Sequence, residues 1–221
     1  ESFRKINMIL WNVYKFYAMY EEVRSEESAI LESKNILDKW ILARLNQLIV
    51  EVTEGMNGYN LPKAVRPISE FINDLSTWYI RRSRDRFKGE NQADKQMAIS
   101  FTRYILLELS KVMAPFTPFI AETIWQKVSG YDFQDENKSV HLTDWPAYAK
   151  VAAGKTVKII EEMEGVRKIV ELGLAARDQA GIKVRQTLQK LEVRSKKLEL
   201  NNEYKNLIKD ELNVREIMVN Q

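Results

Sequence analysis

Arginine is the residue type in this sequence best suited to gripping a partner, and it is concentrated in NDLSTWYIRRSRDRFK, Asn73 to Lys88. Within Trp78 to Lys88, Arg81, Arg82, Arg84, Arg86 and Lys88 stand against one acid, Asp85, a local net of +4 in a chain whose overall charge is +3. A guanidinium is a planar, permanently charged fork of donors that matches phosphate oxygens and base edges. Four of them beside Trp78 and Tyr79 therefore make a candidate nucleic-acid surface. A solvated helix end has the same composition, and charge alone does not separate the two readings. On a helix, Arg81, Arg84 and Lys88 share one side while Arg82 and Arg86 share another, so the five cannot all line one phosphate track.

A second basic concentration runs from Val166 to Lys197, with nine Lys and Arg (Arg167, Lys168, Arg177, Lys183, Arg185, Lys190, Arg194, Lys196, Lys197) against Glu171, Asp178 and Glu192, a net of +6. Two separate basic patches suit a folded RNA, whose phosphates release counterions on contact. The alternative is that they face different directions. Trp11, Trp40 and Trp125 lie on apolar helical faces and are expected in the core, whereas Trp78 fits either a core or a stacking role.

Other chemistry finds little support. His141 is the single histidine and there is no cysteine, so a multi-histidine or thiolate metal site is excluded. The expected role of His141 is to order the SVHLTDWP segment, Ser139 to Pro146, by a hydrogen bond. No phosphate-binding glycine loop or nucleophile elbow is present. The carboxylate pairs Glu21–Glu22 and Glu161–Glu162 sit among lysines and read as solvated faces. No catalytic residue, metal or cofactor is assigned to this chain.

The elements that position these residues are helical. With 45% hydrophobic residues, 8 Gly and 5 Pro in 221 residues, the chain has material for a core and few breakers. Apolar spacing predicts helices over 3–23, 36–56, 61–88, 94–114 and from Thr117 to before Gly130, with a loop at Ser25 to Asn35. Asn60 and Thr117 are the expected caps, and Pro67 predicts a kink or a later start in the third helix. Tyr131 to Tyr148 shows no sustained period and reads as a folded loop or short strand. A long helix over 155–179 follows, then a strand at Gln189 to Ser195, a helix, and a strand at Val214 to Val219. The fold class is thus mainly α, an antiparallel helical bundle over 1–150 followed by a long helix and a small α/β module over 151–221. No apolar run is long enough to span a bilayer. The start lacks methionine and opens directly into helical periodicity, which leads to the expectation of a piece of a longer polypeptide.

Four ordered segments carry a resemblance. LDKWILARLNQLIVEVT (Leu37 to Thr53), FINDLSTWYIRRSRDRF (Phe71 to Phe87), LSKVMAPFTPFIAETIW (Leu109 to Trp125) and SVHLTDWP together resemble the anticodon-binding bundle of the class I aminoacyl-tRNA synthetases for isoleucine, valine and leucine. The second segment looks most like the isoleucyl-tRNA synthetase family. ARDQAGIKVRQTL (Ala176 to Leu188) and DELNVREI (Asp210 to Ile217) are similar to the junction that follows the bundle there. Lys88 replaces a common tryptophan and Thr187 a common proline, which puts stacking at the first position and a tight turn at the second in doubt.

The resemblance implies a cytoplasmic, monomeric parent enzyme in which this portion grips tRNA(Ile). Missing catalytic and editing domains would bind ATP and make the bond, since the HIGH and KMSKS elements are absent from this sequence. On that reading Arg81, Arg82, Arg84 and Arg86 are the expected phosphate or base contacts on the first patch, with Trp78 supporting or stacking, and Lys183, Arg185 and Gln186 are those on the second. The equivalent domain of a valyl or leucyl enzyme, or a helical protein-docking scaffold that binds no RNA, are the alternatives.

Overall fold

The computed structural model describes residues 2–21, 33–132, 134–146, 153–194 and 201–220. The chain divides into two compact units, Glu1–Lys150 and Val151–Gln221. Most of the expected loop at Ser25 to Asn35, together with Ala147 and Tyr148, lies outside the described residues.

The first unit is a helical bundle of α1 (Ser2–Ala18), α2 (Ile36–Asn57), α3 (Leu61–Asp74), α4 (Arg81–Lys88), α5 (Gln92–Met113) and α6 (Pro118–Ser129). Trp40, Ile41, Val52, Phe71, Leu75 and Ile105 are among its fully buried side chains. The helices α2 and α3 form a hairpin that closes tightly at Gly55, where an added Cβ would stand 2.7 Å from the Ala64 nitrogen. Only a residue without a side chain allows that approach. Asn35, Asn60 and Asn91 cap α2, α3 and α5 by accepting from Leu37, Lys63 and Asp94 amides. Thr117 precedes α6 but does not cap it; its hydroxyl donates to the Met113 carbonyl instead.

The third helix passes through Pro67 without ending, and its irregularity comes later, as a π-helical segment at Leu75–Ile80 that leads straight into α4. The cause lies in the buried stripe Leu75, Tyr79, Ser83 and Phe87. Its spacing of four drifts about 40° per step on a 3.6-residue helix, or roughly 120° over the three steps. One wide turn absorbs about one residue and returns the stripe to the core.

After α6 the chain makes two 3₁₀ turns, Glu136–Lys138 and Val140–Leu142. The expectation of a hydrogen bond from His141 is corrected here. The Glu122 carboxylate on α6 orders the segment by accepting from Ser139 Oγ at 2.8 Å and from the Val140 amide at 2.9 Å, while the exposed His141 donates its backbone amide, not its ring, to Ser139 Oγ and lies close enough to favour the Glu122 charge. Burial opposes the charge of Glu122, but these bonds, with one from Gln126, outweigh it and hold its pKa below the ordinary value. Trp145 donates to Thr53 Oγ1 at 3.0 Å, tying the end of the segment to α2.

The second unit contains α7 (Ala153–Gln179), β1 (Leu188–Arg194), α8 (Asn202–Leu212) and β2 (Val214–Asn220). The strands pair in parallel, with Leu188 opposite Val214 and Leu191 opposite Ile217, and α8 is the crossover between them. Ile160, Met163, Val166 and Val170 of α7 and Tyr204 and Ile208 of α8 form the core that covers this short sheet. Glu162, expected to be solvated, accepts from the Tyr204 hydroxyl at 3.0 Å. Among the described residues no helix is long and apolar enough to cross a membrane, and no group of three or more His, Asp or Glu is placed to hold a metal.

Candidate nucleic-acid interface

The basic helix is anchored from behind by a buried ion network. Arg86 donates through Nη1 and Nη2 to the two oxygens of Asp38 at 2.7 and 2.9 Å, and through Nε and Nη2 to Asp94 at 3.0 and 2.8 Å. Its side chain is 11% exposed and that of Asp38 is 0% exposed. Asp38 also accepts from Tyr79 at 3.0 Å and from Ser33 at 2.6 Å. Burial opposes the charge on Arg86, yet the bonds to Asp38 and Asp94 win and raise its pKa above the ordinary arginine value. Burial, then the adjacent Asp38 carboxylate, pushes the Tyr79 phenol well up. The network joins α2, the π-helical segment, α4 and α5. Arg86 thereby leaves the set of candidate contacts, because its guanidinium is committed to carboxylates inside the bundle.

The remaining cations divide as helical spacing requires. Arg81, Arg84 and Lys88 are exposed and follow one another at spacings of three and four along one side of α4, whereas Arg82 is half-buried. Arg81 Nε donates to the Thr77 carbonyl at 2.7 Å, and the Arg84 guanidinium lies 5.9 Å from the centre of the Phe16 ring. That ring packs edge-on against the buried Phe87 at 4.9 Å. Trp78 is half-buried in the π-helical segment, with part of its surface open to a partner. Trp40 alone of the three expected core tryptophans is fully buried. Trp11 and Trp125 are half-buried, and the Trp125 indole donates to the Lys138 carbonyl at 2.8 Å.

In the second unit, Lys183, Arg185 and Gln186 are all exposed on the loop between α7 and β1. This loop is held from inside by Arg177, which is 4% exposed. Its guanidinium donates to the carbonyls of Lys183 at 3.1 Å, Gln186 at 2.8 Å, Leu212 at 2.7 Å and Asn213 at 3.2 Å. A cation at the last carbonyls of α8 also complements that helix's dipole. Asn213, with φ 48°, donates from Nδ2 to the Val184 carbonyl at 3.0 Å and accepts from Thr187 Oγ1 at 3.2 Å. The hydroxyl of Thr187 thus supplies a tether at the position where looseness was expected.

A family model for the anticodon-binding domain of tRNA ligases matches residues 38–193. The chain belongs to this anticodon-binding family. Curated relatives of the domain are isoleucine–tRNA ligases, among them those of Clostridium acetobutylicum, 38% identical over 221 residues, Protochlamydia amoebophila, 39% over 220, and Deinococcus radiodurans, 35% over 223. These matches cover 98%, 97% and 98% of this chain but only 21%, 21% and 20% of the relatives. The chain therefore spans about a fifth of the length of these proteins.

Within the anticodon-binding domain, sequence reasoning nominated the arginines and missed what holds them. Asp38 and Asp94 carried no signal beyond their place in the first turns of α2 and α5. Arg177 was counted as part of a basic patch, yet it falls in phase with Ile160, Met163, Val166, Val170 and Gly173 on the inward side of α7, and that phase was readable.

Proposed function

We propose that this domain holds the anticodon stem and loop of an isoleucine tRNA, as part of a cytoplasmic, monomeric isoleucine–tRNA ligase. The rest of that ligase binds ATP and forms the ester bond. The observation that supports this reading most is the exposed row Arg81, Arg84 and Lys88 on a helix locked from behind by the Asp38–Arg86–Asp94 network. A rigid row of cations meets a phosphate track without first losing the entropy of an ordering helix. Arg82 and the open part of Trp78 flank the row, the indole offering a face to an unstacked base. Lys183, Arg185 and Gln186 form the second contact.

The test is a titration of the chain with three RNA stem-loops, carrying an isoleucine anticodon, an altered anticodon loop, and an unrelated sequence, across a range of salt. The expected result is tightest binding to the first, with affinity falling steeply as salt rises. Replacing Arg81 and Arg84 together by alanine should lower the salt slope by about 1.4 to 1.8, at roughly 0.7 to 0.9 per lost phosphate contact. Absence of binding at low salt refutes the function. Binding that is indifferent to the anticodon removes the recognition claim and leaves RNA binding.

A further inference from the structure

We infer that the loop from Lys183 to Thr187 is a preformed phosphate cradle in which backbone amides, not only side chains, take an RNA phosphodiester oxygen. The inference rests on the RNA-binding function proposed above and deepens its second contact.

The carbonyls of Lys183 and Gln186 are drawn to the buried Arg177 guanidinium and that of Val184 to Asn213 Nδ2. The peptide bonds are trans, so each N–H points opposite to the carbonyl of the residue before it. The amides of Val184, Arg185 and Thr187 therefore point away from the Arg177 and Asn213 side chains, toward the exposed side of the loop. Among the described residues none of the three donates to a protein acceptor.

Successive outward amides form a concavity that favours anions, and Val184 and Arg185 are such a pair; the Gln186 amide that follows donates to the Lys183 carbonyl at 2.9 Å, closing the turn, and Thr187 supplies the third outward amide beyond it. The side chains that flank it are cationic: Lys183 and Arg185 are exposed, and neither is paired with a carboxylate among the described residues. Gln186 adds a neutral donor beside them. The third amide belongs to Thr187, at the position where the resembling family commonly has proline, which has no N–H to give. Arg177 and Asn213 are positioning residues in this scheme. They touch no ligand, and their work is to turn three carbonyls inward so that three amides face out.

The test uses the whole chain labelled with nitrogen-15, titrated separately with the isoleucine-anticodon stem-loop and with inorganic phosphate while the amide resonances of residues 183–187 are followed. The cradle predicts that Val184, Arg185 and Thr187 amides move in both titrations and that Thr187→Pro removes one responding donor while the fold is kept. Asn213→Gly, which tolerates the left-handed backbone but releases the Val184 carbonyl, should abolish the Arg185 response with circular dichroism unchanged. Lys183→Ala with Arg185→Ala should lower the salt slope of RNA binding by about one phosphate contact, roughly 0.7 to 0.9. RNA binding that leaves the three amides unmoved overturns the cradle and spares the function. Should the RNA fail to bind, the function falls, and amides that also ignore inorganic phosphate overturn the cradle independently.

Discussion

Truncating Arg86 to alanine separates a strut from an RNA contact. Removing this guanidinium strands Asp38, whose side chain is 0% exposed, with hydrogen bonds from Ser33 and Tyr79 alone. Breaking a buried pair by deleting one partner costs about 3–5 kcal/mol, because the remaining charge is left without compensation. Asp94 is 41% exposed and can rehydrate, so its share is under about 1 kcal/mol. The expected loss is about 4 kcal/mol, a large fraction of the roughly 5–15 kcal/mol of a typical domain. At a urea slope of about 2 kcal/mol per molar, the midpoint should fall by about 2 M.

All five tryptophans lie at or before Trp145, so tryptophan fluorescence during a urea titration reports the first unit without interference from the second. The pair Asp38→Asn with Arg86→Ala, which leaves no buried charge, should recover about 1–2 kcal/mol of the single-mutant loss. Under native conditions Arg86→Ala should keep the RNA salt slope of the parent chain, whereas Arg84→Ala lowers it. A loss below about 1 kcal/mol, or a slope lowered as much as by Arg84→Ala, refutes the assignment of Arg86 as a strut.

Three further perturbations probe the scaffold. Gly55→Ala places a Cβ 2.7 Å from the Ala64 backbone, and despite alanine's better helix propensity it should cost about 1–3 kcal/mol in the same urea assay. Ser83→Ala removes a buried hydroxyl with no hydrogen-bond partner among the described residues and should raise stability by about 1 kcal/mol, read as a higher urea midpoint. The lowered pKa of Glu122 means that its stabilising contribution is present above the ordinary carboxylate range, near pH 4.3, and is lost as pH falls through the folded value. Glu122→Gln should therefore flatten the acid limb of thermal stability between about pH 5 and 3, measured by circular dichroism.

Much of the fold was legible because helical packing writes itself as periodicity. Asn60 and Gly130 sit where the chain needs a cap and a left-handed turn, and α2, α5 and α7 fall within a few residues of their apolar patterns. The π-helical segment was not: Pro67 drew the expected irregularity, and the spacing of four from Leu75 to Phe87 runs through the polar Ser83, whose burial only the structure shows. The parallel pairing of β1 and β2 was not, since two alternating strands separated by a helix accept either direction until α8 is docked.

The site was harder for a reason particular to arginine. Its charge invites a surface reading, but its long stem and five donors also make it the residue best able to satisfy buried acceptors. Phase along the helix, together with the acids that face each side, decides between these uses. Arg81 and Lys88 lie well away from the stripe Leu75, Tyr79, Ser83, Phe87 and are exposed; Arg84 and Arg86 flank it at similar angles on opposite sides, and only Arg86 meets acids there, Asp38 of α2 and Asp94 of α5. On α7, Arg177 takes the next inward position after Gly173 and is buried, while Lys168 and Glu171 on the other side are exposed and pair with each other. Counting charges over Val166 to Lys197 merges these roles into one patch, whereas reading each cation against the apolar period separates the residues that hold the loop from those the loop displays. The net charge of a basic segment therefore overstates the interface, and the phase of its helix, with the acids that face it, gives the correction.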